Sequence, residues 1–139
     1  MTRFGIDTQV AIQLVRDKTP LHPDHQLVAP SVLRSRVLSV LYAEVRRGGL
    51  DEKEARTILD GVTSMRVRLL GDRVSRAWAW DIARTLDSDD TLRAEFIAVA
   101  KLQADALVSF DTELVRQAEG IVPLASFDAF TEPSATVPR

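Results

Sequence analysis

Phe4-Gly5-Ile6-Asp7-Thr8-Gln9-Val10-Ala11-Ile12 and Ala106-Leu107-Val108-Ser109-Phe110-Asp111-Thr112-Glu113-Leu114-Val115 decide how this chain is read. Each is a short apolar run that ends in an aspartate, and each aspartate opens a segment with helical spacing. As neighbouring parallel strands, the two runs would set both carboxylates at the carboxyl edge of one sheet. That edge is where open α/β sheets place their ligands. Two acids there point to a divalent metal, because hard cations prefer oxygen ligands. The plainer reading is a pair of helix N-caps, with Thr8 and Thr112 following.

Outward from these runs, strands and helices alternate. Gln26 to Ala29 reads as a second strand, stopped by Pro30. Ser31 is a candidate N-cap for a helix running to about Arg47, which Gly48-Gly49 ends with a left-handed cap. The apolar stripe of that helix is Val32, Leu33, Val37, Val40, Leu41 and Val45, and Arg36 falls inside it. Asp51 to Asp60 and Asp72 to Leu86 are further helices, with a strand over Met65 to Leu70 between them. Thr91 to Gln103 is a helix, and Ile121 to Leu124 a last strand whose Pro123 suits an edge. The pattern predicts an α/β fold: a central parallel sheet of about five strands with helices on both faces, in three layers. Residues 1–125 form the domain, and 126–139 are expected to be a flexible tail.

The chain has 139 residues, 45% hydrophobic and 27% charged, which suits one globular domain with a core of its own. It contains no cysteine, so disulfides and thiolate metal sites are excluded. No signal peptide fits the amino terminus and no apolar run is long enough to span a membrane, so a cytoplasmic location is expected. A formal net charge of -2 does not announce a nucleic-acid binder.

The ordered set of segments resembles the PIN domain, most closely the toxin-type PIN proteins called VapC. Phe4-Gly5-Ile6-Asp7-Thr8 resembles the first strand and first acid of that family, and Leu107-Val108-Ser109-Phe110-Asp111 the strand ending in its last acid. Leu27 to Ser35 resembles the segment leading to the second acid, and Thr91 to Ala100 the helix carrying the third. The resemblance covers roughly residues 3–125. It implies a ribonuclease dependent on magnesium or manganese, in which clustered carboxylates hold the metal and the metal activates water.

Carried over position by position, Asp7 and Asp111 match, and they are the candidate catalytic and metal residues. The other two acids would fall at Arg36 and Arg93. Each change puts a permanent cation where the family has an anion. Guanidinium groups relieve carboxylate repulsion without a metal, by pairing with the carboxylates directly. The expectation is a self-neutralised cleft in which Arg36 and Arg93 pair with Asp7 and Asp111, with magnesium or manganese absent or weakly held. Thr8, Ser109, Asp89 and Asp90 are auxiliary candidates, and Glu95 is expected to point away from the cleft.

The resemblance thus implies a VapC-like protein of a toxin–antitoxin system with a degenerate ribonuclease centre. A cognate antitoxin is its expected partner, RNA a further ligand, and a homodimer its expected assembly. The alternative is an active magnesium- or manganese-dependent ribonuclease toxin that recruits Asp89 or Asp90. A third class is a dimerisation module that has lost both functions. Trp78 and Trp80 cannot both face one core, so one of them is a candidate interface residue. His22 and His25 fall in a proline-rich segment and read as solvated. Arg66, Arg68, Arg73 and Arg76 form a basic stretch able to touch phosphate, diluted by Asp72 and Asp81.

Overall fold

A computed structural model describes residues 1–134. The elements are β1 (Thr2–Ile6), α1 (Thr8–Arg16), β2 (His25–Pro30), α2 (Leu33–Arg46), α3 (Glu52–Ser64), β3 (Arg68–Leu70), α4 (Arg73–Thr85), α5 (Leu92–Gln103), β4 (Ala106–Val108) and α6 (Thr112–Ala118). The strands form one parallel sheet in the order β3-β2-β1-β4. The fold is therefore α/β, with four strands and six α-helices among the described residues.

The two runs that end in Asp7 and Asp111 do lie side by side. Gly5 pairs with Leu107 and Ile6 with Val108, so Asp7 and Ser109 leave the sheet together at its carboxyl edge. Close packing makes this register possible. A Cβ on Gly5 would stand 2.9 Å from Ala100 Cβ, so only glycine lets α5 lie this near β1. On α5, Ala94, Ala98 and Ala100 are buried, and the helix packs along β1, β2 and β4 with α4 outside it. Helices α1, α2 and α3 pack on one another, with Val10, Leu14, Val37, Leu41, Ile58 and Val62 in the core.

Several sequence-based expectations are corrected. The predicted fifth strand at Ile121 to Leu124 makes only a single parallel bridge, Leu107 to Leu124. Pro123 has no N–H to continue a ladder, although its carbonyl accepts from Leu107 N at 2.8 Å. The strand at 65–70 shortens to Arg68–Leu70, and β4 ends two residues before Phe110. Ser31 does not cap α2: the helix begins at Leu33 without a side-chain cap, and Ser31 N donates to Leu70 O, prolonging the β2–β3 pairing.

The packed body also extends past residue 125. Phe127–Thr131 forms a 3-10 helix whose Phe130 is fully buried. Its ring stands edge-on to Phe4 and Phe127, both with centroids 5.2 Å away. His22 N donates to Phe130 O at 2.8 Å and holds this segment beside β1 and β2. The flexible-tail expectation for 135–139 lies outside the described residues.

His25 is not a solvated loop residue. It opens β2, is buried, and meets Phe4 edge-on at 4.9 Å. Neither Trp78 nor Trp80 enters the core: both are exposed on α4, because Ala79, Ile82 and Ala83 supply its buried face. No helix among the described residues is long and apolar enough to cross a membrane.

Candidate functional site

The carboxyl edge of the sheet opens into a cleft of about 240 Å³, lined by Asp7, Thr8, Gln9, Arg36, Arg93 and Asp111 over Phe96 and Leu114. Asp7 follows β1 and caps α1. Its Oδ1 accepts from Val10 N at 2.9 Å, and its Oδ2 accepts from the Ser109 hydroxyl. Only 4% of Asp7 is exposed. Burial pushes its carboxyl pKa up from the ordinary value. The hydrogen bonds from Ser109 and Val10 oppose that rise, and the nearby Asp111 charge reinforces it.

Ser109 joins the two acids. Its hydroxyl donates to Asp7, and its oxygen accepts from Asp111 N at 3.0 Å. Asp111 caps α6 through Oδ1, which accepts from Glu113 N at 3.0 Å and Leu114 N at 3.2 Å. Its Oδ2 accepts from Arg93 Nε at 2.9 Å. Each of the four carboxylate oxygens is therefore already engaged. A continuous relay runs Asp7–Ser109–Asp111–Arg93, built from two strand ends and the first turn of α5.

Arg36 reaches the same cleft from α2 but pairs elsewhere. Its Nη2 lies 3.5 Å from Glu95 Oε2, a contact between two partly buried side chains. The expected pairing with the cleft acids is thus made by Arg93 and not by Arg36. Glu95 faces away from the cleft, as its helical position requires, yet supplies the counter-charge for Arg36. No local pattern marks that partnership, since it needs α2 and α5 brought together. Gln9, one residue beyond Thr8, also lines the cleft and was not singled out by sequence.

Asp89 and Asp90 do not join Asp7. Both are exposed and line an adjoining depression with Glu113 and Arg116. Asp90 Oδ1 is occupied at the start of α5, accepting from Leu92 N at 3.0 Å. Arg93 lines both depressions and stands between the two sets of acids. On the same rim the Arg116 hydrogen bond holds Glu113 down at about 2. Among the described residues no group of three or more histidine, aspartate or glutamate side chains is arranged to hold a metal ion. No protein-family model and no curated protein matches this chain.

Proposed function

We propose that this chain is a three-layer, PIN-like protein of the VapC type, whose inherited ribonuclease centre is self-neutralised. The Arg93–Asp111 hydrogen bond carries this reading. It places a guanidinium on a sheet-edge carboxylate where the resemblance puts an acid, with Arg36 lining the same cleft. The four charged groups of the cleft, two aspartates and two arginines, sum to zero. A divalent cation entering there would displace existing hydrogen bonds and sit beside two fixed positive charges. Such a cleft has little use for magnesium or manganese. Glutamate and aspartate at positions 36 and 93 would reverse that balance.

The function that follows is recognition without cutting: capture of a cognate antitoxin, with RNA as a second ligand. An apolar groove between α2 and α3 supports the antitoxin partner. Leu38 and Tyr42 stand exposed along it, over Leu41, Val45, Ala55 and Leu59, with Arg46 and Arg56 at the rim. Val74 and Trp78, one turn apart on exposed α4, support a homodimer contact. The deciding experiment incubates the purified chain with single-stranded RNA and manganese, with and without chelator. The unmodified protein is expected to leave RNA intact. Chelator-sensitive cleavage that disappears in Asp7→Asn would establish the active-ribonuclease alternative instead.

A further inference from the structure

At the other end of the sheet, the amino ends of β2 and β3 border a second concavity of about 700 Å³. Its walls come from the turn before β2 and the segment entering β3, and no aspartate or glutamate lines it. Arg66 and Arg68 do, and both are exposed. Neither makes an ion pair among the described residues. His25 also lines the cavity although it is 6% exposed. One ring nitrogen contacts the Glu132 carbonyl, whereas Nδ1 is buried with no hydrogen-bond partner among the described residues. With Nε2–H directed at that carbonyl, Nδ1 is an acceptor lacking a donor in the neutral ring, and a donor lacking an acceptor in the charged ring. Leu21, Leu27 and Val67 supply an apolar wall.

We propose that this cavity binds a small phosphate monoester carrying an apolar or aromatic body. Arg66 and Arg68 hold the phosphate oxygens through charge-assisted hydrogen bonds. Leu21, Leu27 and Val67 cover the body. The volume is that of an ordinary small-molecule site. A nucleic-acid strand fits less well, since tracking a backbone needs a run of cations along a groove. The basic stretch does not provide one. Arg73 and Arg76 belong to α4, beyond the carboxyl end of β3, and Arg76 is tied to Gly71 O at 2.8 Å.

The test is calorimetry on the full chain at fixed salt, with adenosine 5′-monophosphate, inorganic phosphate and adenosine as probes. The monophosphate is expected to bind more tightly than either of the others. Replacing Arg66→Gln and Arg68→Gln together should weaken it at least tenfold without changing thermal unfolding. Either single substitution serves if the pair is unstable. Asp111→Asn should leave this binding unchanged, which separates the site from the cleft at the opposite edge. Three results would each overturn the proposal: no monophosphate binding at millimolar concentration, unaltered binding in the arginine variants, or RNA binding that strengthens with strand length and resists displacement by the monophosphate.

Discussion

Reversing the two cleft arginines, Arg36→Glu with Arg93→Asp, tests the self-neutralised centre most directly. At present Arg93 Nε lies 2.9 Å from Asp111 Oδ2, and Arg36 Nη2 lies 3.5 Å from Glu95 Oε2. Unit charges about 4 Å apart interact by roughly 4 kcal/mol at an effective dielectric near 20. These side chains are partly solvated, with exposures of 46% and 32% for the first pair and 27% and 29% for the second. Screening reduces each pair to about 1 kcal/mol. The reversal removes two attractions and creates two repulsions, so the metal-free variant should lose about 2–4 kcal/mol. Manganese at a hundred times its dissociation constant should return about 2.7 kcal/mol. For a chain of this size that is a rise of roughly 10 °C in Tm. Thermal unfolding with manganese and with chelator measures both quantities, and labelled single-stranded RNA reports cleavage. Each single variant keeps one guanidinium against the metal, so the two changes should be non-additive. The unmodified protein should show no manganese-dependent shift. A folded double variant whose Tm ignores manganese would refute the reasoning.

Three further outcomes follow from the same geometry. Asp7 has a raised folded-state pKa because it is buried, so its contribution to stability is fully present below the unfolded value near 3.8 and is lost as pH rises through the folded value. Asp7→Asn should therefore be more stable than the parent at pH 7, and chemical denaturation should show that advantage shrinking as pH falls toward 4; a constant difference would argue against burial as the cause. Phe130→Ala removes a fully buried ring that closes the cluster with Phe4 and Phe127, and urea unfolding should register a loss of about 3–5 kcal/mol. A loss under about 1 kcal/mol would mean that the 3-10 segment is not part of the packed body. For assembly, light scattering should find a concentration-dependent dimer that Trp78→Ser with Trp80→Ser converts to monomer, and a parent that stays monomeric at high concentration counts against the α4 contact.

The parallel α/β character and the meeting of Asp7 with the 109–111 segment were legible in the sequence. Short apolar runs followed by aspartate and a helical period carry that information locally, and register follows once the two runs pair. The caps at Asp7 and Asp111 were readable for the same reason: each acts on backbone N–H groups within three residues of itself. Pro123 placed the last strand at an edge, yet whether its neighbours pair depends on Leu107 across a gap in the chain.

Tertiary structure alone decided which partners the charges take. Arg36 sits in an apolar stripe of α2, and nothing near it in sequence names Glu95, which arrives on α5. Tertiary packing also moved His25 from loop to core, because Phe130 and Glu132 fold back over the start of β2. It split the basic stretch between the two ends of β3. Periodicity and capping are local properties of a chain, whereas burial and charge pairing belong to groups that only folding brings within a few ångströms.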